Sequence, residues 1–264
     1  MKRLLPFLLI LLLSLSACSR EPEPEGPGEV IILMYHRISA GEPVNLYERS
    51  AADFEDDLVW LNDHNVTVID FKDLEKIVSG EKKLSGDAAI ITFDDGDHSW
   101  YTLAVPLLKQ YRMKATFFLW TSKIGMNSFL TWDEVALISR YRDSKGEKPF
   151  SFGSHTASHQ YLLAKKSVLG AGAAFDAYLD EEFGGSKLLI ESKTDDSVTA
   201  LALPFGEGAG DPDIIAGAQR NGYMFIRTSE RNVTGSPATD FYRLPSLPIL
   251  NDTSTDLIGD YLGI

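Results

Sequence analysis

The stretch Ala88-Ala89-Ile90-Ile91-Thr92-Phe93-Asp94-Asp95-Gly96 (residues 88–96) ties the fold of this chain to its chemistry. Residues 88–93 form an apolar run bounded by polar residues and rich in β-branched and aromatic side chains, the composition of a buried strand. The run ends on two adjacent carboxylates. Side by side at the end of an apolar strand they repel each other and lose hydration, which is costly unless a cation or a proton relieves it. Successive strand side chains point to opposite faces, so both can serve one site only if the strand breaks there, and Gly96 permits the break. Taken alone, an Asp-Asp-Gly turn that merely ends the strand accounts for the same three residues.

Outward from this strand the pattern repeats. Residues 30–35 (VIILMY), 66–69, 115–119, 150–153, 199–203, 223–227 and 243–250 read as further strands. Helical patterns lie between them. Ser50 with Asp53 makes a capping-box start for a stripe of Phe54, Leu58 and Leu61, and Phe71, Leu74, Ile77 and Val78 mark a second helix. A third covers residues 100–111, and Thr131 with Glu134 caps a fourth running towards Arg142. Residues 175–191 contain a helical segment interrupted by Gly184-Gly185, and helices near 213–221 and at the C-terminus complete the series.

Strands alternating with helices predict an α/β fold with a largely parallel sheet, and no repeat or second linker divides it. Alternation alone does not separate a closed barrel from an open sheet. In either case chemistry gathers at the C-terminal ends of the strands. No GxGxxG or GxxxxGK[ST] follows a strand, so no nucleotide is expected.

Four strand ends carry candidates. Besides Asp94 and Asp95, His36 follows VIILMY, His155 and His159 follow FSFGS (150–154), and Pro204-Phe205-Gly206 follows TALAL (199–203). The i, i+4 spacing of His155 and His159 predicts a helical turn with both imidazoles on one face. Two neutral histidines plus a carboxylate make a three-ligand metal site with open positions. A histidine pair at this spacing also occurs on plain helix surfaces; its pairing with Asp94-Asp95 at another strand end favours the metal. Residue 156 is Thr rather than Glu, which excludes the HExxH protease arrangement. His64 reads as surface, and His98 as part of the helix after the aspartates. Trp132 has two readings, a sugar platform or a packing residue beside the Thr131 cap.

The formal charge of −13 gives no basic surplus for nucleic acid, and 44% hydrophobic residues suffice for a sizeable core. Lys2 and Arg3 precede an almost unbroken apolar run, residues 4–15, which is short for a membrane span and ends in small residues. Leu15-Ser16-Ala17-Cys18 resembles the bacterial lipoprotein signal, in which the cysteine is lipidated and becomes the new N-terminus. An ordinary signal peptide with an incidental Cys18 is the alternative. Cys18 is the only cysteine, so no intramolecular disulfide and no cysteine nucleophile is available. Removal of residues 1–17 takes Lys2 and Arg3 with it, so −13 becomes −15. Residues 20–28 (REPEPEGPG) read as a stiff, solvated tether. The expected organisation is a signal peptide over 1–17, a lipidated cysteine and tether over 18–28, and one catalytic domain over 29–264.

The candidate residues together resemble the polysaccharide deacetylase family, also called the NodB-homology family or carbohydrate esterase family four. The matching segments are ITFDDG (91–96), SHTASH (154–159) and LALPFGEG (201–208), with AVPLLKQYRMKATFFL (104–119) and TWDEV (131–135) between and around them. ILMYHRI (32–38) is similar to the circularly permuted branch that deacetylates poly-β-1,6-N-acetylglucosamine, where the strand bearing the acid histidine lies at the N-terminus. Asn251, in LPILND (247–252), stands where other branches carry that histidine.

The resemblance implies a distorted, incomplete (β/α) barrel and a set of roles. Asp95, His155 and His159 would hold a divalent metal, zinc with cobalt or nickel as alternatives, and Asp94 would be the general base. His36 would be the general acid, and the backbone N–H at Phe205, after Pro204, would face the oxyanion. Many family members carry an arginine two residues before the motif proline. Here that position is Ala202, which puts the orientation of the base in question. Phe205 replaces a common tyrosine, and DHSW (97–100) replaces the usual run after the aspartates.

The expected reaction is metal-dependent N-deacetylation of an N-acetylglucosamine polymer by an exported lipoprotein. It would face the periplasm or cell surface and touch the membrane through its lipid alone. In a two-membrane cell Ser19 after the cysteine fits the outer membrane. A carbohydrate O-acetyl esterase and a catalytically silent glycan-binding protein on the same scaffold are the alternatives. Glycosidase chemistry needs two carboxyl groups about 5 Å or more apart across the scissile bond, a poor match for sequence neighbours flanked by histidines.

Overall fold

The structure is a computed structural model, and it describes residues 28–264. The expected signal peptide, Cys18 and nearly all of the tether lie outside the described residues. In chain order the strands are β1 (Val30–Tyr35), β2 (Arg37–Ser39), β3 (Glu48–Ser50), β4 (Thr67–Val68) and β5 (Ala88–Asp95). They continue as β6 (Ala115–Leu119), β7 (Phe150–Ser154), β8 (Ala200–Ala202), β9 (Phe225–Arg227) and β10 (Leu247–Pro248). The α-helices are α1 (Ala51–Asp63), α2 (Phe71–Val78), α3 (Val105–Tyr111), α4 (Trp132–Arg140) and α5 (Leu162–Leu169). The last four are α6 (Ala173–Leu179), α7 (Ser186–Lys193), α8 (Pro212–Arg220) and α9 (Asp256–Leu262).

The main sheet runs β10-β1-β5-β6-β7-β8-β9, with β4 also beside β5, and every pairing in it is parallel. It curves into the incomplete barrel that the resemblance implies. Between its edges lies an irregular segment rather than the strand expected over 243–250, of which only Leu247–Pro248 is regular. That segment still spans the gap. Leu244 N–H donates to Ile226, Thr228 N–H donates back to Leu244, and Ile249 N–H donates to Met34. Pro245 and Pro248 lack the N–H groups that a longer strand would need.

Both faces of the sheet are buried, which is why its strands read as continuous apolar runs rather than alternating ones. Ile31, Leu33, Tyr35, Ile91, Phe93 and Phe117 face the helices, and the Phe93 and Phe117 rings stack 5.2 Å apart. Val30, Ile32, Ala88, Ile90, Phe118, Ala202 and Phe225 face inward, where α2 plugs the barrel with Phe71 and Leu74. Period-two geometry therefore puts Met34, Asp94 and Arg227 on that same inner face, at the C-terminal ends of β1, β5 and β9.

The capping boxes form at Thr131/Glu134 and, unforeseen, at Asp70/Asp73. At Ser50 only half a box exists, because the Asp53 carboxylate accepts from the Ser50 hydroxyl instead of its backbone. Gly184-Gly185 does not break the chain into two helices. A π-helical turn (Asp180–Gly185) joins α6 to α7, and another (Trp100–Ala104) leads into α3.

Candidate active site and metal centre

At the C-terminal ends of the strands a cavity of about 500 Å³ opens, lined by His36, Asp94, Asp95, His155, His159, Phe205 and Arg227 among others. The carboxylate pair converges by the break that its chemistry requires. Asp94 follows the strand onto the inner face. Asp95 takes a left-handed backbone (φ 86°), a conformation that Asp tolerates better than most residues, and Gly96 follows at φ 101°. A side chain at 96 would also strike Ile124 at 2.5 Å.

The two histidines converge differently from the helical turn predicted. Residues 155–161 are an irregular loop, with Thr156 and His159 left-handed at φ 64° and 55°. Their Nε2 atoms lie 3.0 Å apart, and each is 3.6 Å from Asp95 Oδ1. Ligands about 2.0–2.2 Å from a tetrahedral ion stand roughly 3.4 Å from one another, so this triangle fits one cation. The donor chemistry fits too. His155 Nδ1 lies 2.9 Å from the Ala202 carbonyl, which fixes the proton there and leaves the Nε2 lone pair facing the triangle. The Trp120 indole stacks on His159 at 4.6 Å, fixing the second ring. Asp95, His155 and His159 form the group that could hold an ion among the described residues.

Electrostatics push the site in the same direction. Burial is the first cause that holds both histidines below their usual pKa, His155 down to about 3, so both are neutral ligands at neutral pH. Asp95 is pushed up to about 7 by burial and by the Asp94 charge, an instability that a bound cation relieves. Asp94 goes the other way. Burial alone would raise it, but the Arg227 guanidinium and the neighbouring histidines hold it below the usual carboxylate range.

Arg227 is the residue that sequence reasoning missed. Its Nη2 binds both Asp94 oxygens, and its guanidinium lies 5.3 Å from the Phe118 ring centre, with only 1% of the residue exposed. β8 and β9 pair with Ala202 opposite Arg227. The cation absent from position 202 is thus supplied one strand away, on the same inner face. The signal was a lone cation closing an apolar strand (MFIR, 224–227), where a buried charge needs a partner.

The remaining candidates divide. His36 lies directly after β1 with its ring 4.9 Å from Tyr47, and its Nδ1 is buried without a hydrogen bond. Burial lowers its pKa and the Asp94 charge opposes this. Pro204 starts a short 3₁₀ turn in which Phe205 is left-handed (φ 59°). The turn uses the N–H groups of Gly206 and Glu207 and not that of Phe205. The Phe205 ring is 51% exposed and stacks on Tyr161 at 3.9 Å. Trp132 is not among the residues lining the cavity. It packs half-buried against the core from the first turn of α4, the second of its two readings. His64 is exposed and stacks on Trp60, and His98 pairs with Glu134 at 3.0 Å.

Residues 81–226 match the polysaccharide deacetylase family profile. The poly-β-1,6-N-acetyl-D-glucosamine N-deacetylase of Staphylococcus epidermidis is 28% identical over 250 residues, covering 88% of this chain and 83% of that protein. Among solved structures, IcaB from Ammonifex degensii superposes with a TM-score of 0.75 at 21% identity, covering 90% of this chain and 98% of that one. The Streptococcus pyogenes deacetylase PplD gives 0.74 at 22% identity, covering 90% and 99%.

Proposed function

Because this chain belongs to the polysaccharide deacetylase family and is a carbohydrate deacetylase, we propose that it removes N-acetyl groups from an N-acetylglucosamine polymer with the help of one divalent metal. The observation that carries the proposal is the Asp95/His155/His159 triangle with Asp94, clamped by Arg227, directly beside it. Zinc, or cobalt or nickel in its place, would supply a Lewis acid to polarise the acetamide carbonyl and acidify the attacking water.

The protein's own groups do the rest. Asp94 stays ionised in a buried position and accepts the proton of the attacking water. Its oxygens are held by Arg227 rather than free to turn away. The Phe205 N–H, left over by its turn, donates to the oxygen that gains charge. His36 passes a proton to the departing sugar nitrogen, and acetate and a free amine result. Its lowered pKa makes the protonated form scarce at rest, and the Asp94 charge across the cleft favours that form. Export and attachment to a membrane through a lipid on Cys18 complete the proposal, supported by the apolar run and LSAC at residues 4–18.

The test is acetate release from a partly purified N-acetylglucosamine polymer by soluble protein beginning near Arg20. The protein would be stripped of metal, restored with zinc, cobalt or nickel, and compared with Asp94→Asn. Activity is expected to return with metal and to fall at least about 10²-fold in the variant. Metal binding without acetate release from any N-acetylated glycan would overturn N-deacetylation and turn attention to O-acetyl esters.

A further inference from the structure

The loop between the two histidine ligands is an improbable piece of backbone. Thr156 and His159 are both left-handed and neither is glycine, at a cost on the order of 1–3 kcal/mol each. Such a loop persists only if something outside it over-determines its shape. On one side the Thr121 and Ser122 N–H groups donate to the Thr156 and Ala157 carbonyls; on the other stands the π-helical turn Asp180–Gly185.

Glu182, in the middle of the turn, is 4% exposed and spends its whole carboxylate on the loop. Its Oε2 accepts from the Ser158 N–H at 2.8 Å and its Oε1 from the Ser158 hydroxyl at 2.5 Å. Its backbone carbonyl accepts from the Ala157 N–H at 3.1 Å. One residue later than the turn, the Ser186 hydroxyl meets the Ser154 hydroxyl at 2.6 Å, and Ser154 in turn accepts from the Thr156 N–H. Inside the loop, the Thr156 hydroxyl accepts from the His159 N–H at 3.0 Å. Every residue between the two ligands is therefore tied, directly or through one hydroxyl, to the helix 180–186.

The turn is itself held from behind. Asn221 and Arg220, at the end of α8, donate to Asp180, and the Tyr223 hydroxyl donates to the Phe183 carbonyl, which also accepts from Ser186. A side chain at Gly184 would strike Asn221 at 2.3 Å, so the glycine admits this close packing. The Glu182 carboxylate is hydrogen-bonded by the loop's own donors at Ser158, and its charge also bears on His159.

We propose that Glu182 is a positioning residue for the metal centre. Through Ser158 it sets the separation of His155 and His159 and so the affinity for the ion; this rests on the metal-dependent reading above. Partners in the outer shell of a metal site are commonly worth 10–100-fold in affinity.

The experiment measures zinc affinity by chelator competition in the full chain for wild type, Glu182→Gln and Ser158→Ala, alongside unfolding of the metal-free proteins. Glu182→Gln puts an amide N–H₂ where an acceptor is needed. Its zinc affinity is expected to fall about 10–100-fold. Ser158→Ala keeps the backbone bond and loses the hydroxyl, so a smaller fall in the same direction is expected. Acetate release by both variants is expected to recover towards wild-type kcat in excess zinc. Unchanged zinc affinity in folded variants overturns the positioning role and leaves the deacetylase reading intact. Wild type that binds no divalent ion overturns both.

Discussion

A single guanidinium decides whether Asp94 can act as a base. The carboxylate is 2% exposed, and burial without a partner would protonate it. Arg227→Lys keeps the charge but not the planar guanidinium, whose Nη1 reaches Met34 Sδ while Nη2 holds both oxygens, so it is expected to lower kcat by at least about 10-fold. Arg227→Met strands the carboxylate and is expected to cost about 3–5 kcal/mol of stability as well. Kinetics with metal in excess, paired with urea unfolding, separates the two effects. Wild-type kcat in Arg227→Lys would show that the positive charge alone suffices. The candidate ligands and Asp94 were legible because they are polar residues at or just beyond the end of an apolar strand, visible as a break in composition. Arg227 sits at such an end too, but its partner is distant in sequence, and only register brings the two together. The left-handed loop at 155–159 was misread as helix because i, i+4 spacing is compatible with several backbones.

At the scale of elements, α2 illustrates how a helix start can be tied to a strand. Asp70 and Asp73 cap its N-terminus reciprocally, and Lys114, just before β6, reaches both carboxylates at 2.9 and 2.7 Å. Burial would raise Asp73, but Lys114 and Lys82 overcome it and hold the group at about 2. A carboxylate whose folded pKa is depressed adds stability above its unfolded value and loses it as pH falls through the folded one. The window here runs from about pH 4 down to about pH 2. Asp73→Asn is expected to be less stable than wild type by about 1 kcal/mol at pH 6, with solvent screening keeping the figure small. The gap should narrow below about pH 4 and close only below about pH 2, so the acid comparison is made near about pH 1.5. Urea midpoints at the two pH values check this, and a gap that stays constant would assign the effect to the cap alone. Most elements were readable from periodicity, since both faces of the sheet are apolar. The π turns were not, because each is a single widened turn of five or six residues, too short to show a period of its own.

Across the whole molecule, the ends of the described chain meet. Arg49 in β3 and Asp57 in α1 form a buried pair, and the same guanidinium donates to the Thr253 carbonyl at 2.6 Å. Tyr35 and Thr255 donate to the same carboxylate, which fastens the segment before α9 to the first strand. The N-terminal side of this arrangement lies beyond the described residues, and its test is chemical. Labelled palmitate is expected to enter the wild-type protein in a bacterial host and to be absent from Cys18→Ser, which should leave the membrane fraction. Labelling that persists without Cys18 would sink the anchor. Sequence patterns could announce a parallel sheet but not where its first strand sits, because β1 pairs with β5 and β10 and neither is its neighbour in the chain.

That placement also has a consequence in time. Of the site residues His36 is the first to be synthesised, yet the strand that flanks β1 on one side is nearly the last to appear. Pairing so distant closes late, because its loop entropy must be met before its contacts form. The acid candidate and the base candidate are brought together by the β1–β5 pairing, but the cleft closes around them only when β9 with Arg227 and then β10 arrive, with synthesis all but finished. A chain built this way has no complete cleft until its last segment is in place.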